Sequence, residues 1–148
     1  MHKAFTMIEL IFVIVIVGVL SAVAVRKLAA TRDDAKVAAM ANSITSAAEE
    51  IAARAVASGN GSTDLPNMSQ IVQGMIAQNK ATFSNGVLMV KMNTVDDCIK
   101  LEVVSSIEDL NLTMSYGQAG GDQVCLALQR AISAEEYPIP LAGKRTRW

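Results

Sequence analysis

The sequence predicts an α+β fold, in which one long N-terminal helix is packed on a small antiparallel β-sheet. Residues 27–58 contain no proline or glycine and many alanines, so they extend as a helix the apolar segment that precedes them. Downstream of residue 86, apolar and polar residues alternate in short runs, which is the pattern of half-buried antiparallel strands. A chain of 148 residues is long enough for one domain of ordinary size.

Residues 5–25 form the apolar half of the predicted helix and have the length of a membrane span. Glu9 is their one charged residue, and as a helix the segment extends roughly 30 Å, the thickness of a bilayer core. The alternatives are a cleaved secretory signal and a plain membrane anchor. Residues 21–24 are similar to the small-residue cleavage site of a secretory signal.

Glu9 argues against a secretory signal, because a carboxylate inside an apolar segment needs a partner. An ionised carboxylate in a membrane helix costs about 3 kcal/mol unless it is paired. If the chain were cut between Ala4 and Phe5, the new α-amine would lie about one helical turn before Glu9. The amine could pair with Glu9 of its own helix or with Glu9 of a neighbour, and the second arrangement would set the register between subunits.

The segment from Lys3 to Leu10 reads Lys-Ala-Phe-Thr-Met-Ile-Glu-Leu and is followed by the apolar run. This segment resembles the prepilin peptidase signature of type IV pilins and type II secretion pseudopilins. The resemblance implies that prepilin peptidase removes residues 1–4 and N-methylates Phe5. It also implies a pilin-like fold, and it implies that Glu9 helps to dock the subunit into a growing filament.

Two positions depart from the usual pattern of this family. Ala4 stands where family members usually have glycine before the cut, and we expect cleavage at a lower rate, because alanine is also small. Arg26 stands where many members have proline. Proline would remove a helix hydrogen bond, so Arg26 predicts a more continuous helix at this point.

The charges that flank the span conflict with the orientation that the resemblance implies. The basic residues are Lys3 before the span and Arg26, Lys27, Arg32 and Lys36 after it. The positive-inside rule, taken alone, places the C-terminal part in the cytoplasm. The resemblance implies a single-pass protein of the bacterial inner membrane, with a cytoplasmic N-terminus and a periplasmic C-terminal domain. We adopt this second orientation, because the motif is specific and the charge rule is statistical.

The second half of the predicted helix is amphipathic. Apolar residues recur at intervals of three and four, the spacing of one helix face, at Val37, Met40, Ile44, Ala48, Ile51 and Ala55. We expect this face to cover the core of the C-terminal domain, while Glu50 and Arg54 form an i, i+4 pair on the other side. The predicted divisions are a leader at 1–4, a transmembrane half at 5–25, an amphipathic half at 26–58 and a globular α+β region at 59–148.

The globular region is predicted to contain one short helix and a sheet of three or four strands. Residues 59–67 are rich in turn formers and predict a linker. The short helix covers residues 68–79, with Ile71, Val72, Met75 and Ile76 directed inward. The predicted strands are residues 87–92, a segment around residues 99–103, residues 110–116 and a last run at residues 124–128.

The two cysteines are Cys98, at the start of one predicted strand, and Cys125, in another. Strand alternation predicts that both point to the polar side, away from the core. Two exposed thiols would be unfavourable in a cytoplasmic protein. In an oxidising periplasm, a disulfide between them would raise the free energy of unfolding by about 3.5 kcal/mol in the chain-entropy model. We expect a Cys98–Cys125 disulfide, and unpaired structural cysteines or pairing with another chain are the alternatives. In the family, a disulfide often closes the C-terminal region.

The C-terminal tail is basic and ends in an aromatic residue. Its residues Lys144, Arg145, Arg147 and Trp148 could contact phosphate and stack on a base, so weak DNA binding is one interpretation. A solvated terminus is the more ordinary one. Some pseudopilins bind calcium in C-terminal loops, but the carboxylates available here lack a dense ligand spacing: Asp96, Asp97, Asp109 and Asp122. We predict no metal site and no cofactor.

Composition and motifs do not favour an enzyme. The net charge of −1 gives no global field for nucleic acid or acidic substrates. The sequence has no CxxC, HExxH, P-loop or GxGxxG motif, and its single histidine, His2, lies in the predicted leader. The resemblance to pilins and pseudopilins implies instead a structural subunit of a type IV pilus-like or type II secretion pseudopilus filament, and this is the function that we predict. Its expected partners are prepilin peptidase, other pilin-like subunits, an inner-membrane assembly platform and the lipid bilayer. The alternative is a minor or tip pilin that binds DNA or a secreted substrate through its C-terminal domain.

Overall fold

The computed structural model describes residues 6–58, 61–105, 110–133 and 137–141. The chain divides into two compact units, Met1–Lys36 and Val37–Trp148. Helix α1 (Met7–Ser58) belongs to the first unit up to Lys36 and to the second unit from Val37 onward. The long helix predicted from the sequence is confirmed, and the backbone is helical at Arg26, as the lack of proline there predicted.

In the described part of the second unit, three short helices and five strands follow the end of α1. In chain order these are α2 (Leu65–Met68), α3 (Gln70–Ala77), β1 (Ala81–Ser84), β2 (Val87–Met92), β3 (Val95–Ser105), β4 (Leu110–Tyr116), α4 (Gln123–Ala131) and β5 (Ile139–Pro140). All neighbouring strands are antiparallel, and the order in the sheet is β1-β2-β3-β4-β5. The predicted α+β architecture, a long helix followed by a small antiparallel sheet, is confirmed.

One face of the sheet and one face of α1 supply the core of this unit. Leu101 of β3 lies between Leu88 of β2 and Met114 of β4, and all three side chains are buried. The predicted stripe of α1 belongs to the same hydrophobic cluster. Its buried members are Met40, Ile44, Ala48, Ile51 and Ala55, with Val37 packed against the cluster, and Ala47, which was not predicted, is also buried there. The burial confirms that this helix face covers the core, as its three-and-four spacing predicted.

Three sequence-based expectations about the secondary structure of this unit were wrong. Residues 124–128 do not form a strand, because they lie in α4, where Cys125 and Leu128 are buried at helical spacing. The linker expected at 59–67 ends in helix α2, and the helix expected at 68–79 begins only at Gln70, as α3, because Ser69 before it is extended, with φ −141° and ψ 127°. The sheet has five strands rather than three or four. The strands that were not expected are the short edge strands β1 and β5.

Candidate functional site

The first turn of α1 brings a hydroxyl and a carboxylate together at the start of the apolar segment. The Thr6 carbonyl accepts hydrogen bonds from the backbone N–H groups of Glu9, at 3.1 Å, and Leu10, at 3.2 Å. Thr6 Oγ1 donates a hydrogen bond to Glu9 Oε2 at 3.3 Å. The carboxylate therefore lies in the first helical turn, at the end of a helix that favours a negative charge.

The surface around Glu9 is apolar on every side of the helix. All side chains from Thr6 to Val25 are exposed, and the large hydrophobic ones in this stretch expose between 42% and 82% of their surface. Among the described residues, α1 is the one helix whose length and composition suit a membrane span, a criterion that an N-terminal signal sequence also meets. A continuous apolar surface of this size indicates contact with lipid or with another protein.

Several predicted site residues lie outside the part of the chain that the structure describes. These are Ala4 and Phe5, at the expected cleavage and methylation site, and the tail residues Lys144, Arg145, Arg147 and Trp148. Leader removal, methylation and DNA contact therefore stay predictions. The predicted site residues that the structure does describe are Glu9, Cys98 and Cys125, and Glu9 lies in a different compact unit from the two cysteines.

A disulfide joins Cys98 of β3 to Cys125 of α4, with the two Cα atoms 5.7 Å apart. Both residues are 0% exposed and belong to the hydrophobic core. The expectation that both cysteines point away from the core was wrong. Cys125 lies in a helix, to which strand alternation does not apply.

A register shift explains the burial of Cys98. Ile99 pairs with Val90 of β2, whereas Val95 pairs with Met92, so three residues of β3 lie opposite one residue of β2. Such a bulge interrupts the regular alternation of side chains. As a result, Cys98 and the adjacent Ile99 are both buried, which a regular strand with one solvent-facing side would not allow.

Asp122 attaches the N-terminal end of α4 to the turn between β2 and β3. Its Oδ1 accepts hydrogen bonds from the backbone N–H groups of Val124, at 2.9 Å, and Cys125, at 3.0 Å, and so caps the helix. Its Oδ2 accepts hydrogen bonds from Asn93 Nδ2, at 2.6 Å, and Thr94 Oγ1, at 2.9 Å. These donors, the Cys125 N–H first, lower the pKa of Asp122 to about 2.

Two further side chains attach α4 along its length. Gln129 Nε2 donates hydrogen bonds to the carbonyl oxygens of Cys98, at 2.8 Å, and Gly117, at 3.0 Å. At the other end of the helix, the Tyr116 hydroxyl donates to the carbonyl of Ile132 at 2.7 Å. The helix is therefore held to β3 and β4 by hydrogen bonds as well as by the disulfide.

The acidic residues considered as calcium ligands have other contacts in the structure. Asp96 lies 3.3 Å from Lys91 Nζ, and Asp97 lies 3.2 Å from Lys100 Nζ. Asp122 accepts the four hydrogen bonds given above, and Asp109 lies outside the described residues. No group of three or more His, Cys, Asp or Glu residues that could hold a metal ion occurs in the described part of the chain.

Glu50 contacts α3, and the sequence did not predict this contact. Its Oε2 accepts hydrogen bonds from Ser69 Oγ, at 2.7 Å, and from the backbone N–H of Ile71, at 3.3 Å. These hydrogen bonds lower the pKa of Glu50, the Ser69 hydroxyl most, and the charge of Arg54 contributes least. The spacing of Glu50 and Arg54 had suggested a surface pair, whereas the main partners of Glu50 lie about twenty residues further along the chain.

The comparison with protein families matches residues 1–25 to the family described as the prokaryotic N-terminal methylation motif. No curated protein and no solved structure matches the chain. The motif is a sequence signature of substrates of prepilin peptidase, and it indicates a structural protein rather than an enzyme. Together with the apolar helix that follows, it agrees with anchoring in the inner membrane. The N-terminal 25 residues of this chain therefore carry the prepilin peptidase substrate signature of type IV pilins and pseudopilins.

Proposed function

We propose that this protein is a structural subunit of a type IV pilus-like or type II secretion pseudopilus filament. Prepilin peptidase removes residues 1–4 and methylates the amine of Phe5, and the apolar part of α1 then holds the subunit in the inner membrane. Assembly moves this helix from lipid into contact with the same helix of other subunits. The inner-membrane assembly platform and the motor are separate proteins.

The position of Glu9 is the observation that carries this proposal. Glu9 is exposed at the start of a long apolar surface, and its one side-chain hydrogen bond among the described residues is the 3.3 Å bond from Thr6. A carboxylate placed in a bilayer without a cationic partner costs about 3 kcal/mol. The α-amine of a neighbouring subunit at Phe5 would supply that partner, and the pair would form in one register only. Glu9 thereby specifies how two subunits align.

The orientation of the chain is part of the same proposal. The second unit carries a buried disulfide between Cys98 and Cys125, and structural disulfides persist in oxidising compartments such as the periplasm. The bridge supports a periplasmic location for residues 37–148, although Arg26, Lys27 and the basic residues after them favour the opposite orientation under the positive-inside rule. Labelling of an introduced surface cysteine in intact cells would test this orientation.

The variant Glu9→Gln tests the assembly role of Glu9. It keeps the size of the side chain and its ability to bond Thr6, but it removes the charge that pairs with an amine. We expect the variant to remain in the membrane after alkaline extraction and to be lost from the sheared filament fraction. Glu49→Gln is the matched control, because Glu49 is an exposed carboxylate further along α1. Normal incorporation of Glu9→Gln into filaments would contradict the proposal.

A further inference from the structure

Helix α4 is attached to the sheet at both ends by contacts that do not involve sulfur. Asp122 bonds the turn between β2 and β3 at one end. At the other end, Gln129 bonds two carbonyl groups and Tyr116 bonds the Ile132 carbonyl. Leu128 adds a fully buried apolar contact. These contacts can form whether or not the two cysteines are oxidised.

We propose that Asp122 is a positioning residue for the Cys98–Cys125 disulfide. Its Oδ1 bonds the N–H of Cys125 itself, and its Oδ2 bonds Asn93 and Thr94, the turn that leads directly into the strand of Cys98. One carboxylate thus connects the backbone of one cysteine to the start of the strand that carries the other. The connection holds the two thiols close together in the reduced protein and raises their effective concentration.

The chemistry is a pair of thiol–disulfide exchanges with a small disulfide such as oxidised glutathione. The thiolate of one cysteine attacks the glutathione disulfide, which forms a mixed disulfide and releases one glutathione thiolate. The thiolate of the second cysteine attacks the protein sulfur of the mixed disulfide and releases the second glutathione thiolate. Each cysteine loses its proton to solvent, and the two electrons lost by the protein reduce one glutathione disulfide to two glutathione thiolates. The equilibrium constant of the whole reaction is the effective concentration of the two thiols.

A general effect on stability is distinguishable from this positioning role. A contact that stabilises the reduced and the oxidised protein equally leaves the exchange equilibrium unchanged, because its free energy cancels between the two sides. In the oxidised protein the covalent bond already holds α4 near β3, so forming the Asp122 contacts costs less conformational entropy there, and their net stabilisation is larger than in the reduced protein. Their loss must therefore shift the equilibrium toward the dithiol form. By linkage, reduction of the disulfide must weaken the Asp122 contacts by the same factor.

The experiment is a redox titration of the full chain in detergent micelles with glutathione buffers of known composition. Alkylation of free thiols and mass spectrometry give the ratio of disulfide to dithiol. We expect Asp122→Ala to lower the equilibrium constant about tenfold, since it removes both the helix cap and the link to the turn. Thr94→Val, which removes one hydroxyl donor and keeps the cap, should lower it roughly threefold to fivefold. The control Asp96→Ala removes an exposed carboxylate of β3 and should leave it unchanged.

Asn93→Gly is the second variant on the turn side of the link. Asn93 has a φ of 53°, which glycine adopts without strain, so the variant removes the amide donor and not the turn conformation. We expect a decrease similar to that of Thr94→Val. Equilibrium constants within twofold of wild type for both Asn93→Gly and Thr94→Val would overturn the proposal, and this holds even if Asp122→Ala fails to fold.

Discussion

The hydroxyl of Ser69 donates a 2.7 Å hydrogen bond to the carboxylate of Glu50 and thereby ties the start of α3 to α1. The same hydroxyl accepts a hydrogen bond from the backbone N–H of Val72, at 3.1 Å, and so caps α3. Ser69 is 2% exposed and is the one buried polar residue in the described part of the second unit. The Ser69 side chain therefore caps α3 and also bonds the start of α3 to α1.

We expect Ser69→Ala to lower the free energy of unfolding of the second unit by about 2 kcal/mol. The substitution removes a helix cap and also takes from the Glu50 carboxylate its shortest hydrogen bond. Urea unfolding of the full chain in detergent micelles, followed by near-ultraviolet circular dichroism, measures the change. Ser115→Ala, at an exposed position of β4, is the control and should change stability little. Equal stability of the two variants would show that the Ser69 hydroxyl does not support the fold.

Asp122 should make the stability of the second unit depend on pH in the acid range. Its pKa is lowered from 3.8 to about 2 in the folded protein, chiefly by the Cys125 N–H and the Asn93 side chain. A group with a lowered folded pKa stabilises the fold above its unfolded pKa, and the contribution is lost as the pH falls through the folded pKa. The free energy of unfolding should therefore fall between about pH 4 and about pH 2.

Asp122→Asn provides the comparison for the pH dependence. Asparagine can still cap α4 through its carbonyl oxygen, but it does not titrate. We expect the stability of this variant to fall less steeply than that of the wild type over the same acid range, as measured by urea unfolding at fixed ionic strength. Glu50, whose pKa is also lowered, contributes equally to both proteins. Parallel pH profiles would contradict the assignment of this titration to Asp122.

Two glycines should respond to alanine in opposite directions. A Cβ atom on Gly117 would overlap the backbone carbonyl of Asp97, so Gly117→Ala should destabilise the second unit by about 2 kcal/mol. Gly74 lies within α3, and a Cβ atom there would meet no atom within 4 Å. Gly74→Ala should therefore stabilise the unit by about 0.5–1 kcal/mol, because alanine is the better helix former. Urea unfolding of both variants measures the difference. Unchanged or higher stability of Gly117→Ala would contradict the close packing at Gly117, and lower stability of Gly74→Ala would contradict the open space at Gly74.

The sequence was sufficient to predict the elements whose pattern is long or regular. The stripe of α1 extends over five turns. Strand β2 has the boundaries of the short apolar run at 87–92, and β4 has those that alternation predicted. The edge strands were missed, because β1 and β5 are too short to show a period and are defined by their pairing with β2 and β4. The contact of Glu50 with Ser69 was missed because it joins segments that only the folded chain brings together.

The misassignment of α4 has a specific cause. Val124, Leu126 and Leu128 alternate as in a strand, but the residues that define the helix are Cys125, Leu128 and Ile132, which are buried at intervals of three and four. Asp122 is also a typical N-cap residue, but the strand-like alternation of Val124, Leu126 and Leu128 concealed that signal. The same misassignment led to the expectation that Cys125 is exposed. The local signals for the correct structure were therefore present, in the Asp122 cap and in the spacing of Cys125, Leu128 and Ile132.

The intact mass of the protein, purified from the membranes of its own host, tests the central claim most directly. The account predicts a chain that begins at Phe5, lighter than the full sequence by the residues Met-His-Lys-Ala and heavier by one methyl group. Such a mass would establish cleavage and methylation by prepilin peptidase. A chain that begins near Val25, or an uncut chain that begins at Met1, would contradict the account and indicate a secreted protein or a plain membrane anchor.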